Sequence, residues 1–342
     1  MTLADVAAAS GVSITTASLV LTGRARELRI SQAAEQRVRS TAQELGYRRG
    51  TRPGPGLSRT IGFVLDTAEA SGPAGDVVKG AVEAAYRRGF MLLVSESGGD
   101  PVVERALVEA MRDRQADGVV FAALRTRTAA VPGSLRHGPA VLLNTIPGIR
   151  SGLPSVVSDE VRGGHSAASV LVEAGHVRGV HLIGAGPGPY DVPAHGVAAV
   201  DRLTGLREVF AATGVEVAGA HRCPEWTAEE GYEATGELLR HHRPEALVCL
   251  DDRLAFGAYQ ALADAGLSVP GDVSVLGFGD HPVASWMRPR LTTIAQPHHE
   301  LGERAVEILL ELVEGRGSRS PSIHRVPMPV RLGGSVAPSC SR

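Results

Sequence analysis

Short apolar runs recur along the chain from Ile61 onward, and each is separated from the next by a segment long enough to form a helix. The runs lie at residues 61–65, 90–94, 118–121, 141–143, 180–183, 247–250 and 274–278. Strands that alternate with helices form parallel sheets, because each parallel connection needs a crossover and the crossover helices bury both faces of the sheet. The roughly 280 residues of this region are enough for two such lobes. The pattern therefore predicts an α/β body with two lobes of parallel sheets flanked by helices.

Three short helices are predicted ahead of this body, within the first 47 residues. Thr2, Ser13 and Ser31 each precede an apolar stripe with helical spacing, which is the usual place of an N-cap residue. Gly11 and Gly23 separate the helices, because glycine is the residue that most often ends a helix. We expect the three helices to share one small core.

Residues 3–18 have the spacing of a helix-turn-helix, with Gly11 in the turn. If Ala17, Val20 and Leu21 face the core, the opposite face of the second helix carries Ile14, Thr15, Thr16, Ser18 and Leu19. Hydroxyl groups on such a face can bond phosphates or base edges, and apolar side chains can contact thymine methyl groups. The alternative is a small helical packing domain with a solvated polar face.

The charge is distributed unevenly between the two regions. Residues 1–60 carry nine arginines and four acidic residues, which gives them a net charge of +5. Because the whole chain has a net charge of −2, the remaining residues carry −7. A basic head on an acidic body favours binding of a polyanion by the head. Between them, residues 50–60 contain Pro53, Gly54, Pro55 and Gly56, a composition that predicts a linker.

The chain contains the ordered motifs T-L-A-D-V-A-x-x-x-G-V-S (2–13), E-L-G-Y (44–47), D-G-V-V (117–120), E-A-G-H-x-R (173–178), R-P-E-A-L-V-C-L-D-D-R-L-A-F-G (243–257), V-P-G-D-V-S-V-L-G-F-G-D (269–280) and L-T-T-I-A-Q-P-x-x-x-L-G (291–302). In these motifs the sequence resembles the lactose-repressor (LacI/GalR) family of bacterial transcription regulators. The resemblance covers residues 2 to about 332. It implies a homodimer that reads a near-palindromic operator in double-stranded DNA through two helix-turn-helix heads. It also implies a body like a periplasmic sugar-binding protein, whose lobes close on a small effector.

The resemblance also implies which residues contact DNA. The predicted set is Thr2, Ser13, Ile14, Thr15, Thr16, Ser18, Leu19, Arg24, Tyr47 and Leu57. Leu19 departs from the pattern, since many relatives carry a basic or polar base reader there. The linker departs further, because relatives usually have an Ala-x-x-Leu hinge helix that inserts a leucine into the minor groove. Proline and glycine disfavour a helix here, so we predict a flexible tether with Leu57 as the candidate wedge.

The candidate effector contacts lie in the body; Asp66 is included because it ends the first strand of the body, and ligands bind at the carboxyl ends of parallel strands. The predicted set is Asp66, Asp159, Arg162, Arg202, Trp226, Asp251, Asp280 and His298. Arg202 corresponds to an arginine that bonds sugar hydroxyls or the charged group of an effector, and Trp226 corresponds to an aromatic residue that stacks on the ligand. Gly279 stands where relatives usually have a carboxylate. The alternatives are a solvated arginine for Arg202, a core tryptophan for Trp226, and salt bridges within the lobes for the weaker candidates.

Other classes of protein find little support in the sequence. Cys223, Cys249 and Cys340 are far apart, which indicates free thiols, and no cofactor or metal site is predicted. Residues 184–188 are glycine-rich but lead into prolines and not into a helix, so they fail as a dinucleotide fingerprint. No apolar stretch approaches the ~20 residues of a membrane span, and no signal peptide is apparent, so we expect a cytoplasmic protein.

The sequence therefore predicts a dimeric, effector-controlled repressor of carbohydrate-utilisation genes that is not an enzyme. A small-molecule-binding protein with a vestigial DNA-binding head is the second hypothesis, and an enzyme of two α/β lobes is the third. The predicted domains are a head (1–49), a linker (50–60) and a body (61–335), with lobe 1 at about 61–157 and 293–322 and lobe 2 at about 158–292 and 323–335.

Overall fold

The computed structural model describes residues 3–21, 25, 30–45, 57–67, 72–129, 131–147, 152–188, 190–193, 196–317 and 321–339. Three of the predicted DNA-contact residues, Thr2, Arg24 and Tyr47, lie outside the described residues, as does the Pro/Gly segment 53–56 of the linker. The expectations for them remain predictions.

The head contains the three expected helices, α1 (Leu3–Ser10), α2 (Ile14–Leu21) and α3 (Gln32–Glu44). The Ser13 hydroxyl accepts a hydrogen bond from the backbone N–H of Thr16 at 3.0 Å, and the Ser31 hydroxyl accepts one from that of Ala34 at 3.3 Å. Both caps satisfy N–H groups that the helix itself leaves unpaired. The chain bends by 104° between α1 and α2, as in a helix-turn-helix. The shared core is Val6, Ala7, Ala17, Val20, Ala25, Val38 and Ala42.

The first lobe of the body is built on a parallel sheet of six strands. They are β1 (Thr60–Leu65), β2 (Met91–Glu96), β3 (Gly118–Ala129), β4 (Ala140–Pro147), β5 (Ser155–Ser158) and β11 (Ile323–Val326), in the order β11-β5-β4-β3-β1-β2. The helices of this lobe are α4 (Pro73–Arg87), α5 (Pro101–Asp113) and α11 (His298–Val313), with a short 3₁₀ helix at Gly133–His137.

The second lobe repeats this architecture. Its strands are β6 (Val180–Ile183), β7 (Val217–His221), β8 (Ala246–Cys249), β9 (Ser274–Gly279), β10 (Thr292–Ala295) and β12 (Val330–Arg331), in the order β12-β10-β9-β8-β6-β7. All pairings are parallel except that of β10 with β12. The helices are α6 (Glu160–Glu173), α7 (Val197–Thr213), α8 (Ala228–His241), α9 (Asp252–Asp264) and α10 (Pro282–Trp286). The predicted fold class is thus confirmed.

Helices α6 and α7 approach each other closely because glycines face each other across the pair. A Cβ atom added at Gly205 would lie 2.0 Å from the carbonyl oxygen of Val161, and one added at Gly164 would lie 2.1 Å from the carbonyl oxygen of Arg202. No side chain fits at these distances. The close contact sets the spacing between the first turn of α6, which carries Glu160, and the middle of α7, which carries Arg202.

Within the described residues, the chain crosses between the lobes three times. The first crossing follows β5 near residue 159. The other two fall at residues 296–297 and 327–329, and not near 293 and 323, because β10 pairs with β9 in the second sheet and β11 pairs with β5 in the first. The spacing of apolar residues identifies a short strand but does not reveal the sheet in which it pairs.

Within the described residues, no cluster of His, Cys, Asp and Glu side chains has the geometry to hold a metal ion. No single described helix is long and apolar enough to cross a membrane, and only the bent pair α1 and α2 reaches that length and apolarity together. Cys223 and Cys249 are buried free thiols. Cys340 lies outside the described residues.

Candidate functional site

A cleft of about 410 Å³ lies between the lobes of the body. Lobe 1 contributes Pro73, Asp76, Leu124, Arg125, Thr126, Asn144 and His298. Lobe 2 contributes Arg202, Trp226, Leu250, Asp251, Arg253, Phe278, Asp280 and His281. Ser158, Glu160 and Gln296 lie in or next to the crossovers between the lobes. Several of these residues lie at or just beyond the carboxyl ends of β8 and β9, where parallel sheets place their ligand sites. Others lie in the C-terminal halves of β3 and β4.

Arg202 is the most constrained cation of the cleft, with only 5% of its surface exposed. Its Nε donates to Glu160 Oε2 at 2.9 Å, and its Nη1 donates to the carbonyl oxygen of Leu250. The guanidinium carbon lies 4.3 Å from the centroid of the Phe278 ring, within the range of a cation–π contact. These three partners fix the guanidinium against the floor of the cleft.

Glu160 is the centre of a hydrogen-bond network, here called the crossover network, that joins two of the crossovers to Arg202. Its Oε1 accepts from Gln296 Nε2 at 2.7 Å, while its Oε2 accepts from Arg202. The Oε1 of Gln296 in turn accepts from the hydroxyl of Ser158 at 2.7 Å. Ser158 precedes the first crossover and Gln296 lies in the second. A change in the angle between the lobes therefore strains contacts that hold Arg202.

Trp226 and Asp251 belong to the wall that lobe 2 contributes. The Trp226 indole N–H donates to the carbonyl oxygen of Gly184 at 2.8 Å, which orients the ring at the edge of the cleft. Asp251 caps α9 by accepting from the backbone N–H of Arg253, and it also forms a two-point ion pair with the Arg253 guanidinium at 2.9 and 3.1 Å. A planar guanidinium suits this geometry.

A second carboxylate, Asp252, lies fully buried next to Asp251. It accepts from the Thr293 hydroxyl at 2.7 Å and from the backbone N–H of His281 at 2.8 Å. Burial, which disfavours the charged form, raises the pKa of Asp252 to about 7. Asp252 therefore ties α9 to β10 and to the cleft loop after β9.

Two further polar groups of the cleft have buried atoms with no partner among the described residues. Asn144, at a left-handed backbone position (φ 50°), donates to the carbonyl oxygen of Leu124 at 3.3 Å, but its Oδ1 accepts no hydrogen bond. The Nδ1 atom of His298 is also buried without a partner, and burial lowers the pKa of His298. Buried polar atoms are usually satisfied, so both side chains have unused bonding capacity.

The cleft thus brings together Arg202, Trp226, Asp251, Asp280 and His298 from the predicted set. The Oδ2 atom of Asp280 also forms an ion pair with the Nε atom of Arg331 at 3.4 Å. Asp66, Asp159 and Arg162 do not line it.

Local backbone contacts explain why those three residues lie elsewhere. The Oδ1 of Asp66 accepts from the backbone N–H of Leu124 at 2.9 Å, and burial raises the pKa of its carboxyl group. Asp159 caps α6 by accepting from the backbone N–H of Arg162, whose side chain is exposed. The structure therefore does not bring these three residues into the lining of the cleft.

Sequence reasoning missed Asn144, Arg125, Glu160, Arg253 and Gln296. Asn144 directly follows the predicted strand 141–143, and Arg125 follows 118–121, so the rule that ligands meet strand ends could have identified both. Glu160 and Gln296 left no such signal, because their roles depend on how two distant crossovers meet in space.

The outward face of α2 has the predicted character. Ile14 is 55% exposed, Thr15 is exposed, and Thr16, Ser18 and Leu19 are half-buried. The Ser13 hydroxyl is already engaged as the cap of α2 and lies 2.8 Å from the Thr16 hydroxyl. Leu57 is 48% exposed.

A helix-turn-helix head joined to a two-lobed body with an interlobe cleft defines the class of ligand-responsive DNA-binding regulators. Family comparisons agree: residues 2–50 match bacterial regulatory proteins of the lacI family, and residues 168–336 match a periplasmic binding protein-like domain. The ribose operon repressor of Escherichia coli (strain K12) is 30% identical over 321 residues, covering 91% of this chain and 93% of that protein. The chain belongs to the LacI family.

Solved structures extend the similarity to the fold. A transcriptional regulator CelR–cellobiose complex is 26% identical, covers 98% of this chain and 99% of that chain, and has a TM-score of 0.66. The lac repressor dimer bound to operator and the anti-inducer ONPF is 22% identical, covers 98% of this chain and 99% of that chain, and has a TM-score of 0.67. At this level of identity the comparison shows a similar fold and nothing more.

Proposed function

We propose that this protein is a homodimeric transcriptional repressor of carbohydrate-utilisation genes, controlled by a sugar that binds in the cleft. The relatives support this proposal, since the ribose operon repressor is a repressor by name and the CelR structure contains cellobiose. The proposed units are the predicted head, linker and body.

The observation that carries the proposal is the chemistry of the cleft. Its volume of about 410 Å³ lies within the range of small-ligand pockets, roughly 300–1,000 Å³. Within the lining, Arg202 offers donors, Asp251 offers acceptors and Asn144 offers both, which suits hydroxyl groups because each hydroxyl both donates and accepts. Trp226 offers an aromatic face, which suits the apolar C–H surface of a pyranose. Asp280 and His298 complete the proposed effector contacts.

The proposed DNA contacts on α2 are Ile14, Thr15, Thr16, Ser18 and Leu19, whose hydroxyl groups would bond phosphates or base edges. Ser13, Thr2, Arg24, Tyr47 and Leu57 complete the predicted set. Two heads related by the dimer axis would read half-sites about one helical turn apart. An effector that binds one interlobe angle better than another shifts the population of body conformations and so changes the fit of both heads.

The test is selection of bound sequences from a random DNA pool by the full-length protein at near-physiological salt. A near-palindrome is expected, whereas recovery of no motif would favour the vestigial-head hypothesis. Thr15→Ala should then weaken binding to the selected site at least tenfold. Thr204→Ala, which also removes an exposed helical threonine but lies on α7 of the body, is the matched control and should bind like the wild type.

A further inference from the structure

The two arginines that lobe 2 contributes to the cleft are each paired with a carboxylate of the lining. Glu160 and Arg202 form an ion pair at 2.9 Å in which the side chains are 5% and 6% exposed, respectively. Asp251 and Arg253 form the second pair, also at 2.9 Å. Each positive charge within the wall therefore has its own carboxylate.

The rim of the cleft adds no net charge. Its two charged residues, Arg125 and Asp76, are opposite in sign, and both are exposed to solvent and lie away from the buried floor that Arg202 forms. With Asp280 included, the lining carries four carboxylates (Asp76, Glu160, Asp251 and Asp280) and three arginines (Arg125, Arg202 and Arg253), a formal charge of −1. Burial lowers the pKa of His298 and of His281, so neither adds a fixed positive charge at neutral pH.

A phosphate or carboxylate group that is buried at the floor of the cleft loses its hydration and needs an unpaired cation at the floor to compensate. The usual partner is an arginine whose two N–H groups face the anion. Arg202 is the arginine fixed at the floor, and Glu160 already neutralises it. An anion placed there also meets the repulsion of Glu160 and Asp251.

Uncharged hydroxyl groups do not meet this obstacle. The Nη2 of Arg202 makes no hydrogen bond to a described residue, the Oδ1 of Asn144 has no partner among them, and carboxylate lone pairs remain on the lining. Such groups bond hydroxyls without a change in net charge.

We infer that the effector is an uncharged polyol, such as a free sugar or a glycoside, and that Glu160 excludes sugar phosphates and carboxylates by neutralising Arg202. This inference rests on the proposed function and narrows it to one class of ligand. Glu160 is then the residue that determines the charge specificity of the cleft.

The first experiment uses Glu160→Gln with inorganic phosphate as the probe. Glutamine keeps the size of the side chain and an oxygen that accepts from Arg202, but it leaves the buried guanidinium without a counter-charge. Titration with sodium phosphate, against sodium chloride of equal ionic strength, should give saturable thermal stabilisation of Glu160→Gln and none of the wild type. Glu109→Gln removes an exposed carboxylate of α5 and is the matched control, which should behave like the wild type. The double variant Glu160→Gln/Arg202→Gln should lose the phosphate response.

Saturable phosphate binding by the wild type, or its absence in a folded Glu160→Gln protein, would overturn the inference. A second experiment uses only the wild type, so it does not depend on the folding of a variant. Pentoses, hexoses, disaccharides and their phosphate esters are compared by calorimetry. The ligand that binds should be uncharged, with its phosphate ester at least 100-fold weaker, and tighter binding by an ester would contradict the inference. Loss of the DNA motif, by contrast, would count against the proposed function alone.

Discussion

Replacement of Gly205 by alanine tests the packing that positions the cleft residues of lobe 2. The added Cβ would lie 2.0 Å from the carbonyl oxygen of Val161 in α6, and contacts this close to backbone cannot be relieved by a rotamer change. Helices α6 and α7 must then move apart by about 1 Å, and overpacking of this kind costs about 3 kcal/mol at the upper end of its usual range. The gain in helix propensity offsets about 1 kcal/mol. The expected net loss in the free energy of unfolding is about 2 kcal/mol.

Gly236→Ala is the matched control for this prediction. Gly236 lies within α8, and a Cβ there meets no atom within 4 Å. This variant should gain up to about 1 kcal/mol from propensity alone. Urea unfolding of the full chain, followed by circular dichroism, should therefore separate the two variants by about 3 kcal/mol at an unchanged m-value. If Gly205→Ala were as stable as Gly236→Ala, the close approach of α6 and α7 would not constrain the fold as argued.

Three further predictions concern titration, the linker and DNA binding. Burial raises the pKa of Asp252 from 3.8 to about 7, so the folded protein holds this proton more tightly than the unfolded chain, and the contribution of Asp252 to stability falls as pH rises from about 4 to about 7. At about 1.4 kcal/mol per pH unit, the contribution falls by about 4 kcal/mol over this range. Urea unfolding should therefore show the free energy of unfolding of Asp252→Asn rising by about that amount relative to the wild type between these pH values. A difference between the two proteins that does not depend on pH would refute the assignment. Replacing residues 53–56 by Gly-Ser-Gly-Ser should leave operator affinity unchanged in a gel-shift titration, because the native Pro/Gly segment does not favour a helix, whereas a collapse in affinity would show that the segment orders on DNA. The logarithm of the operator association constant should fall linearly with the logarithm of the salt concentration, because phosphate contacts release counterions from the DNA. An association constant that does not change with salt would exclude the basic head as the DNA-binding surface.

Much of the fold could be predicted because local chemistry determines it. Ser13 and Ser31 mark helix starts by satisfying N–H groups within their own turn, and the strand at 61–65 is apolar because both faces of its sheet are covered by helices. Contacts between distant segments could not be predicted from local sequence patterns. Residues 292–295 and 323–326 are short strands whose spacing does not indicate a partner, so their sheets were exchanged in the predicted lobe boundaries.

The same distinction applies to the cleft. Arg202 was recognised through the family motif, and the structure places it on the floor of the cleft. Asp66 and Asp159 occupy positions typical of ligand contacts, but each carboxylate instead satisfies a nearby backbone N–H. Glu160 was missed because its importance arises only where Ser158, Gln296 and Arg202 meet.

Occupancy of the cleft by the effector is expected to change the affinity for the operator. The most direct test measures the dissociation constant of the selected operator with and without a saturating concentration of the sugar that binds the wild type, in both the wild type and Arg202→Gln. The dissociation constant of the wild type is expected to change at least tenfold. Arg202→Gln should bind operator like the effector-free wild type and should not respond to the sugar. Equal operator affinity of the wild type with and without bound sugar would contradict the account.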